Sequence, residues 1–247
     1  MAGALIESIL PASVLAALGR GDVAALALLV TAWAAIGWLS EHPPRSRPSV
    51  TVMMAEVRRE WMREYLLRDN RIFDAQIMSS LRQGTAFFAS TSLLAVGGVL
   101  ALIGNVGPLA GLAAEIGRGA PTALIWQVRL VPPALFLTHA FLKFVWANRV
   151  FGYCSVMMAA VPADPADPRS GPRARRAAEL NIRAAYNFNR GLRSMYFALG
   201  SLAWLAGPVA LALAGAVVTG MLLSREFASV PRDILAEGEG GRGPPRR

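Results

Sequence analysis

Few residues of this chain have side chains suited to chemistry, and most of those are arginines. Arg129, His139 and Lys143 fall in one apolar run. On an α-helix they lie within about 80° of one another. A cation at the centre of a bilayer costs about 2.5–3.5 kcal/mol on insertion scales. Such a stripe predicts contact with an anion or a lipid headgroup, with His139 titrating near neutrality. A competing reading needs no ligand. The 13 uncharged residues between Arg129 and Lys143 cover about 20 Å of helix, so the two long side chains can snorkel to opposite interfaces.

Asp69 and Asp74 are the other candidates, as carboxylates for a divalent ion on a lipid phosphate. One helix places them about 140° apart, which favours separate salt bridges. His42 and His139 are the only histidines and Cys154 the only cysteine, so a metal cage lacks ligands. The chain has no phosphate-binding loop, no G-x-S-x-G elbow and no H-E-x-x-H. No catalytic residue, metal or cofactor is expected.

The elements that would hold these residues are membrane helices. Of the 247 residues 54% are hydrophobic, the mean hydropathy is +0.42, and the apolar residues are clustered. The fold class is therefore all-α: a polytopic membrane protein with about four transmembrane helices and two cytoplasmic amphipathic helices, in a single domain over residues 1–236. Residues 237–247 read as a disordered tail. The net charge is +9, and Lys143 is the only lysine. Positive-inside loop bias accounts for this excess, and no nucleic-acid partner is expected. Met1 to Gly21 lacks a basic n-region and a small-residue cleavage site, so it is not read as a signal peptide. Its apolar stretch, Leu5 to Leu18, is read as an interfacial helix.

The spans are placed at 23–39, 86–104, 122–145 and 195–223. Asp22 is a plausible N-cap for the first, and Trp33 and Trp38 mark its headgroup end. Ala86, Ser90, Gly97, Ala101 and Gly104 form a small-residue stripe suited to close packing with a neighbouring helix. Pro132 and Pro133 should kink the third span. Gly207-Pro208 divides the last run, which is read as one kinked span in preference to a re-entrant pair. Basic helices at about 50–82 and 173–193 precede the second and last spans. The first of them, RREWMREYLLRDNRIFDAQIMSSLR over 58–82, is read as lying at the membrane surface and serving as a docking helix. Arg58, Asp69 and Gln76 interrupt its apolar half, and they need partners if that half packs on protein.

The loop 40–84 holds eight arginines; 143–194 holds eight and the lysine; the connector 105–121 holds one. Both long loops are thus assigned to the cytoplasm of a bacterial inner membrane, and four spans place both termini outside. Five arginines in the C-terminal tail argue mildly against that placement and keep the re-entrant alternative open. Leu81-Arg82 before Phe87-Phe88, and Leu192-Arg193 before Tyr196-Phe197, hint at a repeat of basic helix and span.

Arg68-Asp69-Asn70, Asn189-Arg190, Tyr196-Phe197-Ala198 and Gly207-Pro208, each beside its span, resemble the membrane family catalogued as domain of unknown function 599. The resemblance covers roughly Val30 to Phe227. It implies a four-span, mostly helical membrane protein and brings no activity with it. The expected function is a non-enzymatic scaffold or accessory subunit binding anionic headgroups, a membrane-protein partner or a second copy of the chain. The alternative is a small transporter or channel for an anionic or lipid-like solute. Candidate contact residues are Arg58, Asp69, Asn70, Arg71, Gln76, Arg129, His139, Lys143, Asn189 and Arg190.

Overall fold

A computed structural model describes residues 18–108, 111 and 122–237. The expected N-terminal interfacial helix, most of the Gly-rich connector and nearly all of the tail lie outside those residues. The described chain is helical: α1 Arg20–Glu41, α2 Val50–Glu64, α3 Ile72–Gly104, α4 Ala123–Ala159, α5 Ser170–Ser201, α6 Pro208–Phe227 and α7 Val230–Ala236, with 3-10 turns at Tyr65–Leu67 and Leu202–Ala206. Four of these stretches are long and apolar enough to cross a membrane: α1, α3, α4 and the run from Pro208 to Ala236.

Three helices outrun the spans expected from hydropathy. At 1.5 Å per residue, α3 is about 50 Å long and α4 about 55 Å, against a hydrocarbon core of about 30 Å. Residues 72–82, expected as the end of the first basic helix, are instead the beginning of α3. The supposed single helix 50–82 breaks at Arg68–Arg71. Asn70 starts the new helix, its Oδ1 accepting the Ile72 N–H at 2.9 Å. The second basic segment is likewise continuous with the apolar residues that follow it, as far as Ser201.

The last apolar run departs furthest from expectation. It is an antiparallel hairpin and not one kinked span. Gly207 has φ 116° and ψ 174°, a conformation open to glycine and strained for other residues. Pro208 then starts α6, where its missing N–H costs nothing. A Cβ on Gly200 would sit 3.1 Å from Val218 Cγ2 and 3.8 Å from the Ala214 carbonyl, so the two arms lie in contact. Hydropathy had ended the second arm at Leu223, too short to cross. The helix runs on through Ser224, Arg225 and Glu226 to Phe227, giving 20 residues, about 30 Å.

Cα packing divides the chain into two compact units, one drawn from the ranges Met1–Ala35, Ala86–Val145 and Asn189–Thr219, the other from Ile36–Thr85, Trp146–Phe188 and Gly220–Arg247. In the first, α6 runs parallel to α1, with Gly21 against Pro208 and Gly215 against Leu29. Phe88 stacks on Phe144 with centroids 5.4 Å apart, and Gly191 is where α5 meets the Phe144 ring, which a Cβ would approach to 2.7 Å. The stripe of small residues on α3 turns outward: Ser90, Gly97, Ala101 and Gly104 are exposed, and nothing lies within 4 Å of a Cβ placed on Gly97 or Gly104.

The second unit packs α2, the charged part of α3, the end of α4 and the start of α5 around Met62, Tyr65, Met78, Phe151, Cys154 and Met158. Ser49 caps α2, accepting the Val52 N–H, and its hydroxyl donates to the Ser40 carbonyl at the end of α1. At its far end Tyr65 donates to the Met158 carbonyl at 2.9 Å. So α2 is a strut whose apolar half packs against other helices of this unit. The end of α6 is also held here. Arg47 donates twice to the Phe227 carbonyl, and Glu226 accepts from the Thr51 hydroxyl and amide. The C-terminal end of α6 thus emerges beside the first basic loop.

Gly207→Ala is expected to cost about 1–3 kcal/mol through backbone strain. Gly97→Ala, which meets nothing, should leave stability unchanged; thermal unfolding of the two variants in one detergent checks the contrast.

Candidate functional site

The sequence candidates separate into three clusters. Two lie in the first unit. At the start of α4, Arg129 sends Nη2 to Asp22 Oδ1 and Nη1 to the Leu205 carbonyl, both at 3.5 Å. Asp22 Oδ1 also accepts the Trp204 indole N–H at 2.7 Å, and its Oδ2 accepts the Gly19 amide at 3.2 Å. Asp22 and Arg129 are only 12% and 13% exposed, so each charge needs the other. Asp22 does close the N-terminus of α1, as its position suggested, but from the third helical residue back to Gly19. Its larger role, as counter-ion to Arg129, was not foreseen.

His139 lies ten residues further along α4, about 15 Å at helical rise. Its Nδ1 lies 2.7 Å from the Ser194 hydroxyl, which also accepts the Trp33 indole N–H at 3.1 Å. Trp33 meets His139 edge-on, centroids 5.2 Å apart, so this indole is a packing residue, while Trp38 is the exposed one, stacked on His42. Lys143 is half-buried one turn beyond His139. Arg129 and His139 share a helix face as expected, yet each is engaged by different partners. Asn189 and Arg190 are half-buried on α5, and both interact with other groups.

The remaining candidates belong to the second unit, where the structure answers whether the polar trio faces protein. Arg58 does: its Nη1 donates to Asn181 Oδ1. Burial lowers the Arg58 guanidinium from its ordinary value, and the nearby Cys154 acts the other way. Asn181 is fully buried and sends its amide to Met78 Sδ at 3.2 Å, while the Cys154 thiol donates to the Ala177 carbonyl. Asp69 and Gln76 are exposed. Arg71 closes the end of α4, donating to the Val161 and Pro162 carbonyls at 3.0 and 3.1 Å with its guanidinium 4.4 Å from the Tyr65 ring centroid.

Asp74, not Asp69, is the structural carboxylate. It is fully buried, and its Oδ1 accepts the Trp61 indole N–H at 2.6 Å and Arg68 Nη1 at 2.5 Å. These bonds fasten α2 to the first turn of α3 across the break. Among the described residues no group of three or more His, Cys, Asp or Glu side chains is placed to hold a metal ion.

One feature was not anticipated as a whole. Between α2 and α5 runs a half-open groove of about 400 Å³ with a floor of Met62, Leu66, Ala174 and Ala178. Glu56, Arg59, Arg63, Arg175 and Glu179 rim it. Arg59 bridges Glu56 at 2.5 Å and Glu179 at 2.8 Å, and the Glu179 bond raises its pKa from the ordinary value. Arg63 and Arg175 are exposed and form no ion pair among the described residues. Helical periodicity on either segment gave half of this site; that the two faces are apposed needed the fold.

Asp74→Ala should cost about 1–3 kcal/mol, since two donors lose their acceptor. Asp69→Ala should stay within about 0.5 kcal/mol; denaturant unfolding of both variants gives the comparison. Arg129→Ala should destabilise by about 3 kcal/mol, leaving Asp22 buried without its counter-ion. A double-mutant cycle with Asp22→Ala should recover part of that loss.

No curated protein and no solved structure matches the chain. A family model described as "Protein of unknown function, DUF599" matches residues 24–231, from the first turns of α1 to the start of α7. With its helices in that arrangement and the match covering most of its length, this chain belongs to the DUF599 family.

Proposed function

We propose that the chain is a non-enzymatic scaffold or accessory subunit of a bacterial plasma membrane, its basic side in the cytoplasm, binding a partner protein there. The observation that carries this reading is the groove between α2 and α5, lined by charge on its rim and apolar side chains on its floor. Such a mixture is that of a protein-binding surface, with an apolar centre for burial and a charged edge for register.

The transport alternative rests on cations available to a solute. Arg129 is paired with Asp22 and Leu205, and His139 with Ser194, so two of the three have internal partners. The positive-inside count over the two basic loops supports the cytoplasmic assignment.

Purification of the full chain in mild detergent, followed by mass spectrometry of co-eluting proteins, tests the proposal. A partner at constant stoichiometry through two columns is the expected result. A clean, partner-free monomer overturns it.

A further inference from the structure

We infer that the α2–α5 groove takes an acidic amphipathic helix of a partner protein, seated with its acidic side chains on Arg63 and Arg175 and its apolar side chains on Met62 and Leu66. This deepens the scaffold reading and rests on it.

The charge at the rim sets the sign of the partner. Both rim carboxylates, Glu56 and Glu179, are already bound to Arg59. Arg63 and Arg175, facing the same slot from opposite helices, have no carboxylate of their own among the described residues. The first turns of α5 also border the slot at Gly171 and Ala174, and a helix N-terminus adds positive potential there. Arginine at such a rim binds a carboxylate through two parallel N–H bonds.

The shape sets the form of the partner. Along α2 and the 3-10 turn that follows it the groove extends from Glu56 to Leu66, and along α5 from Gly171 to Glu179. Those lengths are about 15 and 12 Å at helical rise, or two to three turns of a third helix. Arg59 pairs with Glu179 and Arg58 with Asn181, so α2 and α5 lie side by side and leave a trough of the kind a third helix fills.

The position argues against a lipid occupant. Ser49, at the start of α2, is bonded to Ser40 in the last turn of α1. The groove lies seven to seventeen residues further along α2, about 10–25 Å. The headgroup layer adds only about 5–8 Å on each side of the hydrocarbon core. A helix that leaves the membrane at Ser49 along the membrane normal carries the slot into water beyond that layer.

The test uses the full chain in nanodiscs of zwitterionic lipid and a fluorescent synthetic helical peptide of glutamate and leucine at helical spacing, followed by anisotropy. A second peptide carries lysine in place of glutamate. Saturable binding of the acidic peptide is expected, at least about tenfold weaker for the Arg63→Glu/Arg175→Glu variant, with no saturable binding of the lysine peptide. Both arginines are exposed, and unchanged thermal unfolding would confirm that the variant folds. Equal affinity for wild type and variant overturns the inference, as does equal binding of the two peptides. So does loss, in the variant, of retention on phosphatidylglycerol vesicles without change in peptide binding, which would make a headgroup the occupant. A partner that co-purifies with wild type and double variant alike would also overturn the groove assignment while leaving the scaffold reading intact. Absence of any partner from the wild type defeats the scaffold reading itself.

Discussion

The last turn of a helix leaves carbonyl groups without intrahelical donors, and this chain closes its helix ends with side chains from other segments. The end of α4 receives Arg71 at Val161 and Pro162, Arg173 at Ala160 and the Tyr65 hydroxyl at Met158. The end of α6 receives Arg47 at Phe227, and the turn after α5 receives Arg129 at Leu205. Each such bond satisfies a polar group and ties two segments distant in sequence, and those from arginine also place positive charge at the negative end of a helix dipole. The planar guanidinium, with five donors, suits this better than an ammonium. The arginine excess is therefore partly a device of construction as well as a signature of topology.

How far the fold was legible depended on where apolar periodicity coincided with helix ends. For α1 it did, and the expected span differs from the helix by only a few residues. For α3, α4 and α5 it did not, because a helix leaving the apolar zone changes composition without breaking. The true break, at Arg68–Arg71, lies inside a charged stretch, where hydropathy changes little. Asn70 was the local signal there, a side chain able to cap the helix that follows. At Gly207-Pro208 the dipeptide was noticed, yet a kink and a reversal leave the same trace in sequence. What decides between them is the contact of Gly200 with Val218, a tertiary fact. The tail arginines, which sat poorly with a C-terminus outside, kept the hairpin open as a reading.

The candidate residues divide along similar lines. Arg58 was flagged because a charge on an apolar face must find a partner, and Asn181 is that partner. Asp69 and Gln76, flagged on the same argument, lie beyond or near the break, where a single continuous wheel no longer applies. Asp74 was set aside as a salt-bridging residue and is the buried anchor of the α2–α3 corner. Asp22 was read only as a cap, since nothing in its neighbourhood indicated Arg129 or Trp204, more than a hundred residues away. Pairings of that range are set by packing and lie beyond the reach of local pattern.

A groove rimmed by arginine has one further consequence. Guanidinium groups keep their proton at any pH a cell experiences, so Arg63 and Arg175 offer acidity no handle. Lysine acylation, a common means of erasing positive charge, has no substrate on this rim. Their attraction for an anion is instead set by the ions around them, because exposed charges are screened over about 8 Å at physiological ionic strength. A rise in surrounding salt would loosen contacts made there, while acidification would leave the charge of these arginines as it is. By the chemistry of its side chains, this surface is tuned to ionic strength.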